Sequence, residues 1–258
     1  MLYVLPLGTT LYRATRDTDT WTDVLQGFGA YFGTGGRYHF IRQPTVYASA
    51  DPLVAMNEWG WHVGLGYWSE MGDRRTLAYP LTRIGKLWQF SFNTDISLID
   101  VASPAASQHF GYPSHAPFNQ HADRYTATQH LATSVSAYHN PNMPQVHHEG
   151  ILAPSVRTIP RFGYTPTQIV LFAAPPLQGL PVPLAQRAVL LTQWDVELEF
   201  CTPGSDQSVT ANDAHIAWAS PWVRLSGPMP VPRFTGRSGS TALAVNNWFT
   251  LDVRHTQH

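Results

Sequence analysis

The 258-residue chain is 43% apolar and 12% aromatic, with only 13% charged residues, so it can build a packed core and is not a disordered polymer. Its formal net charge is -1, and no basic run exceeds Arg74-Arg75, so it offers no stripe for a nucleic-acid backbone. Lys86 is the single lysine, which disfavours Schiff-base chemistry. The single cysteine, Cys201, permits no intrachain disulfide and reads as a small residue of a strand. The start, Met1 to Leu7, lacks the basic region of a signal peptide. No segment approaches the roughly 18 apolar residues that span a bilayer. A soluble, cytoplasmic protein is the expectation.

In chain order, Leu11 to Arg16 alternates bulky and polar side chains, as a strand does. Gly27 to His39 follows with five glycines among aromatics, suited to a loop whose backbone comes close to something else. Thr45 to Ser49 is a short strand. Asp51-Pro52 starts a helix, with Asp as N-cap and Pro at the first helical position, running to about His62 and carrying Glu58. Leu87 to Phe92 and Ile96 to Val101 form a strand pair around Asn93-Thr94-Asp95. Ser103 to Gln120 reads as a loop. Ala122 to Tyr138 is the clearest helix, with Tyr125, Thr128, Leu131, Ala132, Val135 and Tyr138 on one face. Strands follow at Gly150 to Ser155 and Gln168 to Ala173.

At Pro175-Pro176 the texture changes, and Pro-rich sequence runs to Pro183, a boundary or ordered linker. Beyond it, Trp194 to Phe200, His215 to Leu225 and Leu243 to Val253 read as extended. The C-terminal third is therefore all-β, either extending the first sheet or forming its own.

Several familiar chemistries are missing. There is no G-x-x-x-x-G-K-[ST], no G-x-S-x-G and no H-E-x-x-H, and the Gly27–Gly36 stretch does not fit G-x-G-x-x-G. Of the twelve histidines, the evenly spaced His109, His115 and His121 and the adjacent His147-His148 lie in loop-like segments without Cys or carboxylate at ligand spacing, so no metal site is expected. Singly, Arg37 is an ordinary surface residue, Ser155 an ordinary turn residue and Glu58 a solvated helix residue. Glu58 stands out only for its apolar company: Val54, Ala55, Met56, Trp59 and Trp61.

In order, however, the pieces form a set. They are Leu11-Tyr12-Arg13-Ala14, Gly35-Gly36-Arg37-Tyr38, Val46-Tyr47-Ala48-Ser49, Ala55 with Glu58, Gly150-Ile151, Pro154-Ser155-Val156-Arg157 and Ile169-Val170-Leu171-Phe172. This set, over roughly residues 10 to 175, resembles the RES family, named for its Arg, Glu and Ser, which includes the toxins of RES–Xre toxin–antitoxin pairs. The loop at 103–120 and the tail after 180 have no counterpart in the resemblance.

The resemblance implies an α+β fold like that of ADP-ribosyltransferases: a mixed or split β-sheet core with few helices, here with a β-rich C-terminal extension. The expected division is 1–178 for the NAD-binding catalytic domain and 179–258 for the extension. The implied activity is cleavage of the nicotinamide–ribose bond of NAD with water or phosphate as acceptor, making the protein an NAD glycohydrolase or phosphorylase acting as a toxin. The alternatives are an ADP-ribosyltransferase acting on a macromolecule and a non-catalytic binding protein on the same fold. The implied catalytic residues are Arg37, Glu58 and Ser155, with Arg13, Gly36, Tyr38 and Tyr47 binding NAD. NAD is substrate rather than resident cofactor. The implied partner is a small helix-turn-helix antitoxin, with no direct nucleic acid and no membrane, and the sequence is compatible with a homo-oligomer.

Overall fold

The computed structural model describes residues 2–27, 35–52, 54–56, 58–59, 76–77, 81–112, 125–136, 148–155, 166–173, 182–201, 209–210, 231–235, 243–245, 249–251 and 253–255. Two mixed sheets organise them. The first has five strands in the order β1 (Leu2–Leu5), β6 (Ile96–Asp100), β7 (Gly150–Pro154), β8 (Thr167–Phe172) and β3 (Thr45–Ala48). Its β6–β7 pair is parallel and the others antiparallel. The second sheet is built on two long strands, β5 (Leu81–Phe92) and β9 (Ala188–Cys201), flanked by β2 (Leu11–Arg16) on one side and by β11 (Val231–Thr235) and β14 (Val253–His255) on the other. Next come β13 (Phe249–Leu251) and β12 (Leu243–Val245), while β4 (Thr76–Leu77) and β10 (Val209–Thr210) form a separate two-stranded pair. Few helices accompany these strands, so the fold is α+β.

The apolar run of β8 explains the layering. Ile169 and Leu171 pack into a core with Leu5, Leu11, Val46, Phe90, Phe92 and Leu98, drawn from both sheets. Val170 and Phe172 point the other way, into a second core with Ile99, Ile151 and the helix residues Leu131, Ala132 and Val135. A strand buried on both faces needs apolar residues at every position. The helix is Thr126–Val135, and its buried residues Thr128, Leu131, Ala132 and Val135 lie on the face read from the sequence. Full burial of a Leu or Val side chain contributes about 1.5–3 kcal/mol, so this stripe, not helix propensity, holds the helix on the sheet.

The two sheets meet at one corner. Tyr12 N–H donates to the Ser49 carbonyl at 2.7 Å, and Ser49 N–H donates back at 2.9 Å. That bridge joins β2 of one sheet to the end of β3 of the other. The chain then enters the Glu58 segment, where the Asp51 carbonyl accepts from Ala55 N–H. Pro52, Val54 to Met56, Glu58 and Trp59 are helical, and residues 60–62 lie outside the described set.

Two readings need amending, and two elements went unread. Residues 103–120 are not all loop: Ala105–His109 is a short helix, because Ala106 is fully buried against the helix-side core. Strand β5 starts at Leu81, six residues before the expected Leu87, because β9 pairs with it throughout. Strand β1 carries three exposed residues, Leu2, Tyr3 and Val4, and no alternation marked it. Helix Trp21–Gln26 also went unread, although Thr20 and Asp23 close a capping box and Gly27, at φ 63°, ends it. The expected strand at 215–225 lies outside the described residues.

Beyond residue 178, β9 is a central strand of the second sheet. Just before it, Arg187 forms a buried ion pair with Glu149 and donates to Thr94 Oγ1 at 3.0 Å. Glu149 in turn accepts from Ser97 N–H at 3.2 Å.

Candidate active site

The corner where the sheets meet gathers the expected residues. Arg37 and Tyr38 form the tip of a tight turn between Gly36 and His39. Gly35 precedes it at φ 87°, where a Cβ would stand 2.7 Å from the His39 carbonyl oxygen. A Cβ on Gly36 would meet the His39 ring at 2.3 Å and the Tyr47 hydroxyl at 2.9 Å, so only glycine lets this turn lie flat on β3. Tyr47 supports the turn from below. Its hydroxyl accepts from Tyr38 N–H at 3.0 Å and is hydrogen-bonded to His39 Nδ1 at 2.8 Å. The hydroxyl is thereby committed to the turn.

Arg37 points inward and is only 7% exposed. Its Nη1 donates to the Pro154 carbonyl at 2.9 Å, at the end of β7. Its guanidinium carbon lies 5.1 Å from the centre of the Tyr38 ring. Nε and Nη2 are buried and meet no hydrogen-bond partner among the described residues. Buried donors left unpaired cost about 1–3 kcal/mol each, so an acceptor reaching these two would be stabilising.

The residue after Pro154 completes the site. Ser155 Oγ donates to Glu58 Oε1 at 2.7 Å. Its backbone N–H is held by the Pro166 carbonyl at 2.8 Å, and Ser49 Oγ ties the same return strand through the Thr167 carbonyl at 2.8 Å. Trp59 anchors the Glu58 segment, since its ring occupies the space over Gly85, 2.4 Å from where a Cβ would stand.

Electrostatics places the same groups together. Burial pushes the Tyr38 phenol up to about 12, and burial likewise pushes Tyr47 well above its ordinary 10. On both phenols the Arg37 charge lowers the pKa and the Glu58 charge raises it. The Tyr38 hydroxyl is completely enclosed and meets no partner among the described residues. Arg13 approaches from β2, its Nη1 donating to the Tyr47 carbonyl at 3.5 Å and its Nε unpartnered. Burial lowers its pKa to about 10, with Asp19 and Tyr47 opposing the shift, so it stays charged at neutral pH.

Reading the sequence missed the residues behind this arrangement. Thr128, expected only as part of a helix face, donates from Oγ1 to the Arg37 carbonyl at 2.5 Å, and Gln129 donates to the carbonyls of Gly36 and His39. No local pattern marks either role. Among the described residues, no group of three His, Cys, Asp or Glu side chains is placed to hold a metal ion. Among those residues, too, no helix is long and apolar enough to cross a membrane. No curated protein matches the chain. The RES domain family model matches residues 10–199, through the end of β8 and most of β9. With the match covering most of the chain and with Arg37, Glu58 and Ser155 gathered at one corner of its two sheets, this protein belongs to the RES-domain family.

Proposed function

We propose that this protein degrades NAD by cleaving the nicotinamide–ribose bond, with water or phosphate as acceptor. One observation carries the reading. Two consecutive residues, Pro154 and Ser155, hold the Arg37 guanidinium and the Glu58 carboxylate respectively, so an anion-binding group and a carboxylate stand side by side.

The chemistry suits that pairing. Heterolysis of the C1″–N1 bond sends the bonding electrons to nicotinamide, which leaves neutral, and positive charge develops on the ribose. The Glu58 carboxylate stabilises that charge electrostatically and orients the incoming acceptor. The acceptor oxygen then bonds to C1″, and its proton passes to the Glu58 carboxylate and on to solvent. Ser155 holds Glu58 in place. The unpaired Nε and Nη2 of Arg37 are donors in the fork geometry that a pyrophosphate accepts. Arg13, whose Nη1 donates to the Tyr47 carbonyl, adds a second positive charge near Tyr47.

Such an activity harms the cell that makes it, so a neutralising protein belongs to this reading. The family resemblance points to a small helix-turn-helix antitoxin covering the entrance. The deciding experiment is incubation of purified protein with NAD, following nicotinamide by chromatography. Release of nicotinamide together with ADP-ribose, or ADP-ribose-1″-phosphate when phosphate is present, supports the reading. Intact NAD under both conditions refutes it.

A further inference from the structure

The turn that carries Arg37 is not closed by its own backbone alone. Gly36 N–H reaches the His39 carbonyl at 3.0 Å, but the return bond, His39 N–H to the Gly36 carbonyl, is long at 3.5 Å. Helix Thr126–Val135 supplies what is missing. Gln129 Nε2 donates to the Gly36 carbonyl at 2.8 Å and to the His39 carbonyl at 3.1 Å, using both hydrogens of one planar group. Those two carbonyls flank the tip, so one carboxamide sets the width of the turn. Around it, Thr128 holds the Arg37 carbonyl, and Thr133 Oγ1 accepts from Gln43 Nε2 at 3.2 Å while Gln43 Oε1 holds Phe40 N–H at 2.7 Å.

Arg37 itself has one side-chain hydrogen bond, to Pro154. A single bond fixes a guanidinium at one point only, so its direction depends on where the backbone launches it. We infer that Gln129 is a positioning residue of this site: its carboxamide sets the Gly36–His39 turn and thereby aims the unpaired Nε and Nη2 of Arg37 at the anionic part of the substrate. Gln129 touches no substrate and acts only through Arg37. The inference rests on the reading of Arg37 as the anion-binding group of an NAD-cleaving site.

The test compares Gln129→Leu, which removes both donors, with Gln129→Lys, which restores a donor of similar reach. Each is made in the wild-type and in the Arg37→Ala background. The probe for the anion site is inorganic pyrophosphate, titrated calorimetrically, alongside kcat and KM for nicotinamide release and thermal melting. Misplacing a binding group mainly costs capture, so Gln129→Leu is expected to weaken pyrophosphate binding and raise KM about tenfold, with kcat changed less than about threefold. Gln129→Lys recovers most of that loss. In the Arg37→Ala background Gln129→Leu adds no further loss, because the two residues act as one unit. Should Gln129→Leu not fold, Gln129→Glu, equal in length but without donors, takes its place. Unchanged pyrophosphate affinity in Gln129→Leu overturns the inference, as does an equal loss in both backgrounds or failure of the wild-type protein to bind pyrophosphate. A wild-type protein that binds pyrophosphate in a Gln129-dependent way yet releases no nicotinamide keeps the inference and removes the NAD-cleaving reading.

Discussion

The Ser155 hydroxyl donates a 2.7 Å hydrogen bond to Glu58, a residue 97 positions earlier in the chain. Neither residue can hold the other in place locally. Ser155 is fixed by the end of β7 and by Pro166, and Glu58 by the corner that Ser49 and Tyr12 close. The bond is therefore a product of the fold, and it orients the one carboxylate of the proposed chemistry.

Replacing Glu58 by Gln keeps its shape and removes its charge. The variant is expected to fold and to bind NAD, while nicotinamide release falls about 10²–10³-fold, the usual effect of losing one preorganised electrostatic group. Nicotinamide release, NAD binding and thermal melting together make the check. A folded Glu58→Gln protein with near-normal release would exclude Glu58 as the catalytic carboxylate.

Ser155→Ala leaves the Glu58 charge but removes the hydrogen bond that Ser155 gives its carboxylate. A hydrogen bond to a charged group contributes about 1.5–3 kcal/mol, of which a part appears in the transition state. The expected result is a fall in kcat of about tenfold with KM little changed, measured by initial rates over a range of NAD concentrations. A larger loss than that of Glu58→Gln would mean that Ser155 itself contacts the reacting atoms.

Arg37→Lys tests fork geometry against simple charge. Lysine carries the charge but cannot reach the Pro154 carbonyl and present two further donors in one plane. The expected outcome is a KM raised about as much as in Arg37→Ala, read from the same initial rates. Full activity in Arg37→Lys would reduce the role of Arg37 to a point charge.

The buried pair between Arg187 and Glu149 predicts a stability effect remote from the chemistry. Arg187→Met leaves the Glu149 carboxylate buried without its cation, and breaking such a pair from one side costs about 3–5 kcal/mol. Urea unfolding should show that loss in the midpoint. Adding Glu149→Gln should recover part of it, since the remaining group is then neutral. A midpoint unchanged in Arg187→Met would show that the pair contributes nothing.

Truncation after residue 178 removes β9, which pairs with β5 along its whole length from Leu81 to Phe92. An apolar two-stranded remnant of β2 and β5 with an open edge is prone to aggregate. The truncated chain is expected to be insoluble or unfolded by circular dichroism, and a soluble, folded fragment would show residues 1–178 to be an independent unit.

Local patterns were legible where one physical rule governs one segment. The stripe Thr128, Leu131, Ala132, Val135 reports burial on one face and is a helix, and Leu11 to Arg16 is a strand as read, with Leu11 and Thr15 its buried positions. Helix Trp21–Gln26 was equally readable, since Thr20 and Asp23 stand at capping-box spacing. Strand β1 was not, because its exposed Leu2, Tyr3 and Val4 carry no polarity signal, and its pairing with β6 is what makes it a strand.

The sequence by itself determined the family: the ordered set of pieces that contains Arg37, Glu58 and Ser155 marks it, and the RES domain model matches residues 10–199. The tertiary structure decided how those residues meet. Arg37 is buried because its turn lies on Tyr47 and because β7 ends at the Pro154 carbonyl beside it. Gln129 became part of the site because a helix stripe chosen for core burial also turns one carboxamide toward two backbone carbonyls. Contacts of this kind join side chains to backbone across some 90 positions, and backbone carbonyls are identical at every residue. No spacing or composition rule can announce them, and only the packing of the helix against the sheet selects which carbonyls are met.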